Sequence, residues 1–97
     1  MRKKAIFEFK SKRVEICLGT ETIERKAAYG NSNDEEVSNA ITAKVTSNHT
    51  GNFVEDTAYY EDEVMAQAAF AKVVGLLALD ENLNIWDELM NCEGFAV

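Results

Sequence analysis

Apolar and polar positions alternate at the start of the chain. Two segments, 4–10 and 13–18, place apolar residues at every second position: Ala5, Phe7 and Phe9, then Val14, Ile16 and Leu18. A period of two is typical of β-strands with one buried face. Ser11 and Lys12 separate the two segments, so the pattern predicts a β-hairpin.

The next segment, 20–29, fits two structures. A strand explains the alternation of Ile23 with its polar neighbours, and a short helix explains the spacing of Ile23, Ala27 and Ala28. We favour a third strand that ends at Gly30.

A helix is predicted after the polar break at 30–36. Ser32 and Glu35 have the spacing of a capping box, in which each side chain bonds the other residue's backbone N–H. The positions that follow at helical spacing are Val37, Ala40, Ile41 and Val45. The alternation of Ile41, Ala43 and Val45, together with Thr42 and Thr46, favours a strand instead, but the cap decides for a helix. Residues 47–52, SNHTGN, predict a turn.

Two further helices are predicted in the second half. The longer covers roughly 58–79 with Asp56 or Thr57 as its cap, and it is apolar on nearly every side, as a central core helix is. Its main apolar stripe comprises Tyr60, Val64, Ala68, Ala71 and Ala78, and the residues that widen this stripe are Met65, Phe70, Val73, Val74, Leu76 and Leu77. The shorter covers 83–90, and its inward residues are Ile85, Trp86, Leu89 and Met90. The predicted fold class is α+β, a small antiparallel sheet packed against about three helices.

Length and composition indicate one domain, 1–97, with a single core. Cys17 and Cys92 are too few for a disulfide scaffold, and we expect both to be reduced. The first four residues, MRKK, resemble the basic start of a signal peptide. The segment that follows, AIFEFK, is interrupted by charge after three apolar residues, so we expect no signal-peptide core. No apolar run is long enough for a bilayer. We expect a soluble, cytoplasmic protein.

The formal net charge of −7 is divided unevenly along the chain. Residues 1–13 hold six Lys or Arg and one Glu, a local charge of +5, whereas 14–97 hold four against sixteen acids, a local charge of −12. Such an imbalance bears on solubility and partners rather than on fold.

Catalytic and metal-binding motifs are not found in the sequence. His49, the single histidine, stands among turn residues with no carboxylate or cysteine near it in sequence. The glycines are scattered, so no phosphate-binding loop is predicted, and no acidic run has the ligand order of an EF-hand. We therefore expect no enzyme, no metal and no cofactor.

The basic edge favours two interpretations. Its cations, which can contact phosphates, are Arg2, Lys3, Lys4, Lys10, Lys12 and Arg13. Phe7 and Phe9 would then serve as stacking platforms. However, these aromatics alternate with polar residues as core residues do, and lysines on an edge strand commonly block sheet-to-sheet aggregation. We expect no direct binding of nucleic acid.

Acidic residues form three groups in the rest of the sequence. These are Asp34-Glu35-Glu36, then Glu55-Asp56 with Glu61-Asp62-Glu63, and last Asp80-Glu81 with Asp87-Glu88. A helix N-terminus favours a nearby carboxylate by about 0.3–1 kcal/mol, which explains some of them. The others lack Lys or Arg four residues away, so their repulsion costs stability and suggests a use. The sixteen acids after residue 13 compare with roughly nineteen phosphates of duplex DNA along a domain ~32 Å across.

In length, acidic balance and lack of catalytic motifs, the chain resembles the small DNA-mimic anti-CRISPR proteins of phages and prophages. In particular it is similar to inhibitors of the type I surveillance complex that block target-DNA binding. That family has no shared motif, so the resemblance concerns the character of the whole chain. It implies an acidic surface, including Glu61, Asp62 and Glu63, that meets lysines of a DNA-binding groove in the host bacterial cytoplasm.

The predicted partner-binding set contains the three acidic groups and one tyrosine: Asp34, Glu35, Glu36, Glu55, Asp56, Tyr59, Glu61, Asp62, Glu63, Asp80, Glu81, Asp87 and Glu88. Tyr59 is the candidate aromatic anchor, whereas Tyr60 is expected in the core. We expect a monomer. The alternative is a phage assembly factor or a homodimeric module that uses the apolar helix 64–79.

Overall fold

The computed structural model describes residues 2–26 and 33–94, with side chains for 2–20 and 39–94. Its elements, in chain order, are β1 (Lys3–Glu8), β2 (Lys12–Lys26), β3 (Asn33–Ser47), β4 (Phe53–Tyr60), α1 (Glu63–Leu79) and α2 (Ile85–Asn91). The strands form one antiparallel sheet in the order β1-β2-β3-β4. The α+β class is confirmed, but the described chain has four strands and two helices rather than a hairpin, a possible third strand and about three helices.

The amino-terminal hairpin is confirmed. β1 pairs with β2 so that Phe7 lies opposite Val14 and Ala5 opposite Ile16. The Phe9 N–H donates to the Lys12 carbonyl at 2.9 Å across the turn. The strand favoured for 20–29 is also present as far as Lys26, although it continues β2 instead of forming a separate strand. Its predicted end at Gly30 lies outside the described residues.

The helix predicted after residue 32 is wrong, because this segment forms β3. Ile41, Ala43 and Val45 lie on one face of the strand, opposite Leu18, Ile16 and Val14 of β2. Burial of these apolar residues along an aligned neighbouring strand outweighs a cap, which contributes only about 1 kcal/mol. The alternation and the β-branched residues were therefore the stronger signal. Ser32, the predicted cap, lies outside the described residues.

The predicted start of the long helix is also wrong. Residues 53–60 form β4, in which Ala58 and Tyr60 are buried while the residues between them are not. Asp56 and Thr57 are strand residues and cap nothing. Instead the Asp62 carboxylate caps α1 by accepting the Val64 N–H at 2.7 Å. The predicted end of the helix at Asp80 is confirmed.

The short carboxyl-terminal helix and the turn at 47–52 are confirmed. The helix begins at Ile85, and the Asn84 side chain caps it by accepting the Asp87 N–H at 3.1 Å. Ile85 and Leu89 are buried, while Trp86 and Met90 are half-buried against the core.

Helix α1 buries a different face from the predicted main stripe. Its buried residues are Ala66, Ala69, Phe70, Val73 and Leu77, whereas Val64, Ala68, Ala71 and Ala78 are exposed. Because the helix is apolar on all sides, its pattern does not define an inward face. Turning Phe70, Val73 and Leu77 inward removes more apolar area from water than turning the alanines inward. Of the main stripe only Tyr60, which belongs to β4, is buried, whereas Phe70, Val73 and Leu77 of the widened stripe are buried as expected.

Strands β2 and β3 extend beyond their neighbours as a two-stranded ribbon. The β1–β2 pairing extends along β2 only as far as Leu18, and the β3–β4 pairing extends along β3 only as far as Asn39. The β2–β3 pairing continues beyond both, to Lys26 opposite Asn33. The molecule measures 51 × 29 × 22 Å, and its radius of gyration is 14.9 Å. A compact domain of this length would have about 12–13 Å, so the spherical shape assumed for the phosphate comparison does not apply.

Candidate functional site

The two layers of the protein differ in charge. Residues 1–60, which supply the sheet, contain nine acidic and nine basic side chains, so their formal charge is zero. The acidic helical layer, defined as residues 61–94, contains eight acidic side chains and only Lys72, so it carries the entire −7. Division by layer is thus sharper than the predicted division at residue 13.

The junction between β4 and α1 brings together Glu61, Asp62 and Glu63. All three are exposed. Asp62 caps the helix, and Glu63 accepts a hydrogen bond from the Gln67 amide at 3.1 Å. Among the side chains that the structure describes, Glu61 has no ion pair. Glu61 is therefore the member of this group whose charge has no local structural use.

A second acidic patch lies at the opposite end of α1. The Asp80 carboxylate accepts the Asn82 N–H at 2.9 Å, and Glu81 is exposed beside it. A helix of 17 residues is about 25 Å long, so this patch lies about that far from the junction. The two acids of α2 are Asp87 and Glu88. Glu88 contacts Lys72 of α1 at 3.9 Å, and Asp87 is exposed.

The remaining predicted acids do not join the helical layer. Glu55 and Asp56 are consecutive strand residues, so they lie on opposite faces of the sheet. Glu55 is opposite Lys44, on the face without helices, and Asp56 is opposite Ala43, on the helix side. Asp34, Glu35 and Glu36 lie in the ribbon, opposite Arg25, Glu24 and Ile23 in the backbone register. The predicted acids are therefore spread over several regions.

The two tyrosines of β4 occupy different environments. Tyr60 is fully buried, and its hydroxyl donates to the Leu89 carbonyl at 2.9 Å, which joins the sheet to α2. Burial, with a smaller contribution from Cys92, raises the pKa of this hydroxyl above its usual value. Tyr59 is half-buried and lies opposite Ala40, on the sheet face without helices. That position separates Tyr59 from the acidic helical layer.

No base of the sheet whose side chain the structure describes forms an ion pair with a helical acid. Within the described side chains, Arg13 pairs with Glu8 at 3.1 Å and with Glu15 at 3.2 Å, and both pairs lie in the sheet. Lys44 lies over the Phe53 ring at 4.4 Å. Lys72–Glu88 is the one ion pair found in the described part of the helical layer. Seven of its eight carboxylates therefore face solvent without a cation.

The aromatics of the basic edge pack as core residues. Phe7 and Phe9 stack with ring centroids 5.8 Å apart, and both are half-buried against the hydrophobic core. They are poorly placed to stack on bases, whereas Lys3 and Lys4 of the edge strand β1, and Arg2 just before it, are exposed. The arrangement fits the interpretation that these cations protect the edge of the sheet.

The outward face of α1 is apolar. Val64 is 73% exposed and Leu79 is 87% exposed. Ala68, Ala71, Gly75 and Ala78 lie between them and are also exposed. Small side chains on a helix allow the backbone of another helix to approach closely, so this face has the composition of a packing surface.

A groove that the sequence did not reveal lies at the end of the sheet where the two hairpin turns meet. The Asn48 amide holds the turns together by donating to the Phe9 carbonyl at 3.0 Å and the Lys10 carbonyl at 3.3 Å. Two adjoining cavities, of about 480 Å³ and about 210 Å³, share Lys12, Val45 and Val54. We call them together the hairpin-end groove. Its other apolar walls include Phe53, Leu83, Ile85 and Trp86.

Metal sites, disulfides and membrane-spanning helices are not found in the described part of the chain. It contains no group of three His, Cys, Asp or Glu side chains placed to hold a metal ion. Cys17 and Cys92 are half-buried and form no disulfide. No helix among the described residues has the length and apolar character needed to span a membrane.

Comparison with protein-family models, with curated proteins and with solved structures found no match. The candidate sites are therefore defined by this chain's own geometry. They are an acidic helical layer with one paired cation, an apolar outward face on α1, and the hairpin-end groove.

Proposed function

We propose that this protein is a non-enzymatic inhibitor whose acidic helical layer occupies the cationic DNA-binding groove of a type I CRISPR effector complex. It would act in the bacterial cytoplasm and block binding of target DNA. The observation that carries the proposal is that the whole net charge of −7 lies in one layer, where Lys72 is the one basic side chain. The family resemblance supplies the choice of partner.

The geometry narrows the set of contact residues. Glu61, Glu81 and Asp87 are exposed, and their carboxylates accept no hydrogen bond from the described residues. They are therefore the acids most available to a partner's Lys and Arg. Asp62, Asp80 and Glu63 also serve the chain locally. Duplex DNA has about fifteen charges over the ~25 Å length of α1, and eight acids supply about half of that density.

The test measures inhibition of duplex binding by a purified type I effector complex. The variant Glu61→Gln/Glu81→Gln/Asp87→Asn removes three charges from the helical layer. If each exposed ion pair contributes about 0.5–1 kcal/mol, affinity falls by about 10–100-fold. The matched control Glu8→Gln/Glu15→Gln/Glu21→Gln changes the net charge equally on the sheet and should inhibit like the parent. Equal inhibition by both variants, with both folded, contradicts the proposal.

The apolar outward face of α1 supports a second function, a homodimeric interaction module. Any symmetric pairing through α1 brings acidic ends of two helices together, since Asp62 and Asp80 mark its two ends. Salt screens that repulsion and strengthens the dimer, whereas salt weakens binding to a cationic groove. Sedimentation and effector binding, measured from low to high salt, therefore separate the two functions by the sign of the effect.

A further inference from the structure

Strand β4 leaves one half of its length uncovered at the edge of the sheet. Its first four residues, Phe53 to Asp56, are all exposed, whereas Thr57 to Tyr60 are buried or half-buried. β4 is the last strand of the sheet. No backbone hydrogen bond joins Phe53–Asp56 to a further element among the residues that the structure describes. Edge backbone groups of this kind pair readily with an added strand.

The opposite edge differs in chemistry. β1 carries Lys3 and Lys4 and follows Arg2, which are charges of the kind that block strand addition. β4 contains no Lys, Arg or Pro, and Phe53 and Val54 are 59% and 65% exposed. Of the two edges, β4 is therefore the one that admits another strand.

The hairpin-end groove adjoins this edge on the helix side. Val54 and Asp56 both line it, and Trp86 and Leu83 form its opposite wall at the start of α2. A strand added to β4 would direct alternate side chains towards this groove. A cavity next to an open edge is the arrangement in which main-chain bonds supply affinity and side-chain pockets supply specificity.

We propose that the β4 edge and the hairpin-end groove bind an extended peptide segment of a partner protein, with an apolar residue followed or preceded by two basic residues. The apolar side chain lies beside Val54 in the groove. Two residues away, on the same face, a Lys or Arg meets Asp56, and the residue between them meets Glu55 on the other face. Charge favours this occupant at the edge itself, because β4 offers two acids and no base; the nearby cations belong to other strands, with Lys12 in the wall of the groove and Lys44 over the Phe53 ring.

A second copy of the chain would also offer lysines, through its β1. Addition of β1 to β4 repeats without closing and would form filaments. The net charge of −7 opposes such stacking. Pairing of β4 with β4 of a second copy would bring Glu55 and Asp56 close to the same acids of that copy. The partner segment is therefore a different protein, and this inference holds whether or not the helical layer engages an effector complex.

Trp86 provides the measurement, since it is the single tryptophan and lines the groove. The probe is the capped peptide acetyl-Thr-Leu-Lys-Lys-Thr-amide, added to the full chain while Trp86 fluorescence is recorded. We expect a saturable change. Replacing the two lysines of the peptide by glutamates, or methylating alternate backbone nitrogens, should weaken binding at least ten-fold.

Variants of the protein locate the site. Val54→Lys should abolish the fluorescence change, and Asp56→Asn should weaken binding several-fold and reduce its salt dependence. The matched control is Ile6→Lys, which replaces another exposed apolar residue (46% exposed) on β1. This variant should bind the peptide like the parent. Circular dichroism checks that all three fold.

Three results overturn the inference. The first is no saturable change up to millimolar peptide with the parent protein. The second is binding that survives both backbone methylation and Val54→Lys. The third is self-association of the parent at micromolar concentration that Val54→Lys abolishes, which would make a second copy the occupant.

Discussion

The sheet and the helical layer balance their charges in different ways. In the sheet, Arg13 pairs with Glu8 and Glu15, and Lys44 lies over Phe53. In the helical layer, eight acids share Lys72 alone. Asp62, Glu63 and Asp80 accept local hydrogen bonds, but exposed carboxylates close together also repel one another. The described acids Glu8 and Glu15 of the sheet are paired with a cation, whereas most acids of the helical layer have no cation beside them.

The inward and outward faces of α1 should show the largest difference in stability. Leu77 is fully buried and Leu79 is 87% exposed on the same helix. Leu77→Ala removes packed methyl groups and should cost about 2–5 kcal/mol of unfolding free energy, whereas Leu79→Ala should stay within about 0.5 kcal/mol. Urea denaturation of both variants measures this. A cost above 2 kcal/mol for Leu79→Ala would mean that a partner or second copy covers the outward face.

Tyr60 joins the two layers, and its removal should have a smaller, pH-dependent effect. Tyr60→Phe loses the bond to the Leu89 carbonyl, which also accepts the Gly94 N–H at 3.2 Å. Because that carbonyl keeps a partner, the cost near neutral pH should be about 1 kcal/mol.

Alkaline pH should then remove the advantage of the parent. Burial raises the pKa of Tyr60 in the folded state, so above pH ~10 the unfolded chain loses this proton first. The unfolding free energy contributed by this group is fully present below pH ~10 and falls by about 1.4 kcal/mol per pH unit above it. Tyr60→Phe lacks this loss, so the difference between the variant and the parent should vanish near pH 11. A constant difference from pH 8 to pH 11 would contradict it.

Charge removal should have the smallest effect, with opposite signs in the two layers. Glu61→Gln/Glu81→Gln relieves repulsion and should raise the unfolding free energy by about 0.5 kcal/mol at low salt. Glu8→Gln/Glu15→Gln makes the same change in net charge but deprives Arg13 of both partners, and should lower it by about 0.5–1 kcal/mol. Thermal melts at two salt concentrations compare them. Destabilisation by the helical pair would show that those acids serve the fold after all.

Local patterns predicted the secondary structure correctly in segments where every signal indicated the same element. The amino-terminal hairpin followed from its alternation, and α2 followed from the spacing of its apolar residues. The predictions for the segment that forms β3 and for the start of α1 were wrong. In the first, a capping pattern competed with a β-branched alternation; in the second, residues predicted as a helix cap lie in β4. Pairing with β2, which a local pattern does not contain, decided for the strand. The inward face of α1 could not be predicted, since a helix that is apolar on all sides presents several equivalent stripes.

The candidate sites depended still more on contacts distant in sequence. The acidic groups were visible as runs, but their division between faces required the register of β4 and the length of α1. Glu55 and Asp56 are adjacent in the sequence and lie on opposite sides of the sheet. The hairpin-end groove combines residues from β2, β3, β4 and α2. The Asn48 side chain joins the two turns beside this groove. No spacing rule indicates those hydrogen bonds, so the groove could not be predicted from the sequence.

The order of the strands has a consequence for synthesis on the ribosome. Each strand pairs with the one made just before it, so the sheet can assemble as the chain emerges. The residues that cover its apolar face, such as Phe70, Leu77 and Leu89, are made last. Until then Val14, Ile16 and Ile41 have nothing to pack against, so a nascent chain that has emerged only as far as β4 would expose an apolar sheet face that chaperones should recognise.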